Sequence, residues 1–240
     1  MNIRDQNSLL FPPKILNLRI ETSINQFFQD LKKFSEKTGW EWIAPEIRKN
    51  EENFAIHWKT PDFEIKIGNS YPDGAFETVL YNLKIPSFKR YDEQKKKPII
   101  GFSFSFKISL PREYPSRVDK IKIDAITEIW HPRVHKSGTG VACMHVNGEI
   151  DRILMDMIFM LLYDPERVRP PNKFADGDIG MNYDAMVWFQ RSKDINAIYK
   201  DLIHKWGEHR NQNRNDSKVK IKETTINRDK KKNPKPLILD

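Results

Sequence analysis

The chain has 240 residues, of which 38% are hydrophobic and 31% charged, with a formal net charge of +8. That length suits one ordinary domain with extensions or two small ones, and the composition suits a soluble globular protein. No apolar run nears the roughly 18 residues a membrane helix needs, and a single cysteine excludes an internal disulfide, so a reducing, cytoplasmic setting is expected.

The opening MNIRDQNSLLFPPK lacks the apolar core of a secretory signal. Ser23-Ile-Asn-Gln26 then has capping-box spacing. It opens an apolar stripe at Ile24, Phe27, Phe28, Leu31 and Phe34, which predicts a first amphipathic helix ending near Gly39. Strand-like segments follow at 54–59, 63–67 and 75–85. The charged run KRYDEQKKK at 89–97 reads as an exposed loop between strands. Beyond it, IIGFSFSFKISL at 99–110 alternates aromatic and polar residues as one half-buried antiparallel strand. VDKIKIDAIT at 118–127 alternates in the same way, with PREYP as a proline-bounded turn between the two.

A loop carrying the cysteine interrupts the strands. After it, Ile150, Ile153, Leu154, Met157, Ile158 and Leu161 fall at helical spacing and predict a largely buried helix, stopped by Asp164-Pro165. A Pro/Gly-rich segment at 170–182 leads to a last helical region with Trp188, Ile195, Ile198, Tyr199, Leu202 and Trp206 along one side. Helix, antiparallel strands, loop and helices make an α+β architecture. Much of the positive charge follows Trp206, in a stretch without a steady period, so 207–240 reads as a solvated, disordered basic tail. Basic residues without interleaved aromatics do not indicate nucleic acid as a partner.

The loop itself, IWHPRVHKSGTGVACMHV at 129–146, holds the only cysteine, Cys143, together with His131, His135 and His145. A lone cysteine is commonly a small buried hydrophobe. Here a polar, glycine-containing loop between a strand and a helix argues for a nucleophile. Zinc is not expected from His131, His135, Cys143 and His145, since Pro132 and the glycines deny a helical pair and no second cysteine exists. No metal and no cofactor is expected.

FKISLPREYP, a further strand, His131-Pro132 and Gly140-x-x-Cys143-Met144 together resemble the core of the ubiquitin-conjugating enzymes. LLYDP at 161–165 resembles that family's Leu-Leu-x-x-Pro helix end, and NKFA followed by NYDAMVWF resembles its later segments. The resemblance covers 23–206. It implies an N-terminal helix, a four-stranded antiparallel meander, an active-site loop and C-terminal helices, with 1–22 as an extension and 207–240 as a tail. It makes Cys143 the thioester cysteine, His131 and Pro132 a structural corner, and Tyr114 and Pro115 the turn behind the site. Four features depart from the family pattern. Arg133 stands where the family has asparagine, the spacing from His131 to Cys143 is about two residues longer than usual, the post-cysteine segment is short and lacks Trp-x-Pro, and the acidic gate position aligns near Arg169.

A conjugating enzyme takes a modifier's C-terminal carboxyl as a thioester and passes it to an amine or another thiol. An unperturbed thiol, with a pKa of about 8.5, is only a few per cent ionised at neutral pH. His131, Arg133, His135, Lys136 and His145 are close in sequence and could supply a positive field. Arg133 is the candidate oxyanion donor in place of the asparagine. Asp176 and Asp178 are the candidates to position and desolvate an incoming lysine. The expected partners are a ubiquitin-like modifier, an activating enzyme docking near Lys32 and Lys33 on the first helix, and a ligase, with no membrane. The alternative is a non-catalytic module of the same fold that binds a modifier or partner protein. A cysteine hydrolase ranks behind both, because it needs an adjacent base and orienting partner.

Overall fold

The computed structural model describes residues 10–50, 55–69, 71–135, 137–142, 148–165, 182–192 and 194–211. The chain divides into two compact units, 1–203 and 204–240. The named elements all belong to the first, and 195–211 is helical.

Helix α1 spans Pro13–Thr38, and its buried positions Leu16, Ile20, Ile24, Phe27, Phe28 and Leu31 recur at three- and four-residue steps. The helix therefore starts ten residues before the expected Ser23. Pro13 supplies the N-terminal signal, since a proline needs no helical N–H there. The apolar period runs upstream of Ser23 through Ile20 and Leu16, so part of the expected 1–22 extension is core. At the other end Gly39 adopts φ +73° and donates its N–H to the Ser35 carbonyl, a left-handed stop that glycine makes without strain.

Among the described residues nine strands follow: β1 (Glu46–Asn50), β2 (Ala55–Lys59), β3 (Phe63–Asn69), β4 (Phe76–Leu83), β5 (Ser87–Asp92), β6 (Lys97–Gly101), β7 (Phe104–Ser109), β8 (Lys122–Ala125) and β9 (Gly140–Val141). Seven form one antiparallel sheet in the order β1-β2-β3-β4-β7-β8-β9, and β5-β6 is a separate hairpin. The expected four-stranded meander is thus corrected to a seven-stranded sheet. β1 and β9 extend its two edges by backbone pairing that needs little apolar side chain.

The single strand expected at 99–110 divides near Gly101, where a Cβ would lie 3.2 Å from that of Lys89. Its halves enter different sheets. The expected exposed loop at 89–97 is likewise corrected, because its ends pair as β5 and β6 around a short turn.

On one face of the sheet the register aligns Ile65 with Tyr81, Tyr81 with Phe106, and Phe106 with Ala125, all buried. Phe27 of α1 meets Phe63 and Tyr81 edge-on at 6.1 and 5.8 Å. Each such aromatic, moved out of water, contributes on the order of 1.5–3 kcal/mol. Helix α2 (Ile150–Leu161) buries the same apolar residues that its spacing predicts, and Phe159 packs on Phe34 of α1 at 5.5 Å. The last helical region is two helices: α3 (Tyr183–Arg191), capped by the Asn182 side chain, and the helix at 195–211.

Candidate functional site

The cysteine loop leaves β8 through Ile129, Trp130 and His131, all buried. Three neutral hydrogen bonds fix its entry. The Trp130 N–H donates to the Phe88 carbonyl at 2.9 Å. The Tyr163 hydroxyl donates to the Trp130 carbonyl at 2.6 Å. The Arg133 N–H donates to His131 Nδ1 at 3.0 Å, which sets the ring proton on Nε2.

His131 is fully buried and packs on the Tyr163 ring at 4.7 Å. Burial first, then the Arg133 charge, depress its pKa from 6.5 to about 3, with the Met160 carbonyl opposing. That carbonyl faces the ring, but Nε2 makes no hydrogen bond of full geometry to it. The imidazole is therefore neutral near pH 7. It holds backbone and adds no positive field for a thiol.

Past the corner the chain doubles back. Val134 bridges Ala142, and the His135 N–H donates to the Val141 carbonyl at 3.1 Å. Gly138 turns at φ +79°, where a Cβ would meet the Glu128 side chain at 2.9 Å. His135 Nδ1 lies 2.8 Å from Ser137 Oγ. Half-buried Arg133 thus sits one residue from the bridge to Ala142, which precedes Cys143 in the sequence. Cys143, Lys136, His145, Asp176 and Asp178 lie outside the described residues.

Beyond the loop, α2 begins against a ready-made cap. Tyr114 is fully buried, and its hydroxyl accepts the Ile150 N–H at 3.1 Å. Burial pushes the Tyr114 hydroxyl up to about 12, so it stays a neutral acceptor. Ser23 Oγ accepts the Asp151 N–H at 3.1 Å and donates to the Asp151 carboxylate at 2.8 Å. The serine read from sequence as the cap of the first helix therefore caps α2 instead. Arg19 of α1 ion-pairs with Glu149 beside it. Lys32 and Lys33 are exposed on α1, and Lys33 bonds Asp30 at 2.9 Å.

Tyr163 is the residue that sequence reasoning missed. It ends α2 in the left-handed region at φ +58°, with the Asp164 N–H returning to the Phe159 carbonyl. That turn aims a buried phenol at Trp130. Its only sequence signal is the Asp164-Pro165 stop that follows. Among the described residues, no group of three or more His, Cys, Asp or Glu is placed to hold a metal.

No family model matches this chain, and no curated protein matches it.

Proposed function

We propose that the chain is a conjugating enzyme for ubiquitin or a ubiquitin-like protein, with Cys143 as its acyl carrier in a fold of the ubiquitin-conjugating kind. The observation that carries the reading is the doubled-back loop. The Val134–Ala142 bridge sets Arg133 beside the strand that leads into Cys143, and neutral bonds anchor the corner before it.

In this reading the Cys143 thiolate attacks the acyl carbonyl of a modifier held on an activating enzyme. A carbon–sulfur bond forms to Cys143, and the activating enzyme's sulfur leaves as a thiolate. A lysine amine then attacks the new thioester, Cys143 leaves, and the amine's proton passes to solvent or to a carboxylate such as Asp176 or Asp178. A ligase thiol can take the place of the amine. Each carbonyl becomes an oxyanion in transit, and the fixed charge and forked donors of Arg133 suit it. With His131 neutral, Arg133 is a permanent positive charge on this turn.

The test is incubation of the chain and its Cys143→Ala variant with ATP in a lysate that charges other conjugating enzymes. An ATP-dependent band that needs Cys143 and collapses with thiol reductant is the expected result. Its absence, with the control enzymes charged, favours the non-catalytic binding module.

A further inference from the structure

The geometry points to the β5–β6 hairpin as a docking platform for an acidic segment of a partner protein, beside the Trp130–His131 corner. The root of this hairpin is buried and its outer part is basic. Ser87 is buried and donates to the Leu161 carbonyl at 2.6 Å, while Phe88 packs on Tyr163 and Trp188 at 4.9 and 5.3 Å. The hairpin is therefore fixed to the same residues that fix the loop.

Immediately after Phe88 the register shifts, and Lys89 is a bulge between Phe88 and Arg90. An unbroken strand would turn one of two successive residues inward. The bulge leaves both Lys89 and Arg90 exposed, a re-aiming that bulges commonly provide. At the tip, Lys95, Lys96 and Lys97 are exposed as well. Lys96 holds φ +48°, a left-handed conformation that glycine or asparagine adopts more easily. A cationic side chain thus occupies a position that backbone preference would assign elsewhere.

The charge is not spent within the hairpin. Among the described residues, Lys89, Arg90, Lys96 and Lys97 have no carboxylate partner, and Lys95 reaches Asp92 only at 3.9 Å. Asp92 is occupied by the turn, accepting the Gln94 and Lys95 N–H groups at 3.0 Å each. Glu93 is the remaining exposed acid of the tip. Two cationic groups, one at the bulge and one at the tip, flank it. A peptide can place carboxylates opposite the two groups and leave Glu93 unopposed, and Arg90 can take a carboxylate with two donors. A nucleic acid, whose phosphates repeat at every nucleotide, would bring charge against Glu93. Tyr91 is stacked on Trp130 at 5.0 Å and so is already engaged by a ring. The acidic protein segment is the better fit. This platform stands whether or not Cys143 carries a thioester.

The experiment uses the full chain and two fluorescent probes, a Glu/Asp-rich peptide and a single-stranded oligonucleotide of similar charge, with anisotropy at low salt. The double variant Lys89→Glu/Arg90→Glu is compared with Lys230→Glu/Lys231→Glu, which reverses the same charge in the tail. The hairpin variant is expected to weaken peptide binding by about tenfold or more, and the tail variant by about twofold or less. Equal weakening by the two variants overturns the proposal, as does absence of peptide binding by the wild-type chain. A hairpin variant that weakens the oligonucleotide more than the peptide also overturns it, in favour of nucleic acid. Both substituted hairpin residues are exposed, and a thermal melt matching wild type shows that the fold is intact.

Discussion

Mild acid is expected to destabilise this fold through His131, at pH values above those at which carboxylates act. The imidazole is fully buried, and burial together with the Arg133 charge depresses its pKa to about 3. In the unfolded chain it titrates near its ordinary value of about 6.5. Between those two values the unfolded chain binds a proton that the folded chain refuses. The His131 contribution to stability is thus complete above about pH 6.5 and is lost as the pH falls toward about 3. One proton corresponds to about 1.4 kcal/mol per pH unit, so the loss reaches about 2 kcal/mol by pH 5.

The carboxylates of Glu113 and Asp119, held low by bonds from Lys120 and Arg117, act in the same direction but only below about pH 4.5. Urea unfolding from pH 7.5 to 5 reads the window directly, with His131→Asn as the comparison. The Asn carbonyl can still accept the Arg133 N–H, but the variant carries no titratable ring. It should be less stable at pH 7.5 yet lose about 2 kcal/mol less than wild type on the way to pH 5. Parallel stability curves for the two proteins would refute the reasoning.

Ser23→Ala removes the acceptor for the Asp151 N–H and a bond to its carboxylate; urea denaturation should show a loss of about 1–2 kcal/mol. Tyr163→Phe leaves the Trp130 carbonyl buried without that donor, at a cost of about 1–3 kcal/mol. If Cys143 is an acyl carrier, the same variant should also slow its charging, a readout that loss of stability elsewhere would not move. Tyr81→Phe should behave in the opposite way: the hydroxyl is buried with no hydrogen-bond partner among the described residues, so a thermal melt should show stability equal to or above wild type, by up to about 1 kcal/mol.

Where apolar spacing decides an element, its position was legible before any coordinates. Ile150 to Leu161 is the plainest case, because a helix buried on several sides must show its period in the sequence. Backbone pairing leaves no such mark. β1, EIRKN, has one apolar residue and lies at the sheet edge, and β9 is two residues long. The β5–β6 hairpin was hidden for a related reason. Only Ser87 and Phe88 of β5 are buried, and the bulge at Lys89 breaks the alternation that would have announced a strand. Ser23 matched a local capping pattern, yet Pro13 had already begun the helix, so the hydroxyl was available to α2 at 128 residues' separation. In the candidate site, the His131-Pro132 corner could be read from sequence. Tyr163 could not, since its reach to Trp130 depends on a left-handed turn at the end of another helix.

The division between neutral and charged groups around the loop carries a further consequence. Trp130 N–H to Phe88, Tyr163 hydroxyl to Trp130, and Arg133 N–H to a neutral His131 are all uncharged contacts, and most of the atoms involved are buried. Salt screens exposed charges within about 10 Å at 0.1 M but touches buried neutral bonds very little. The corner is therefore indifferent to ionic strength, and to pH above about 6.5. The charges beside it are of the other kind: Arg133 is half-buried on the turn, and the cations of the hairpin face water. None of the three bonds that hold the corner uses them. Architecture here rests on neutral contacts, while the hairpin lysines face water where an acidic partner can reach them. Salt should thus weaken partner binding while leaving the fold of the corner unchanged, and the two effects can be separated in one titration.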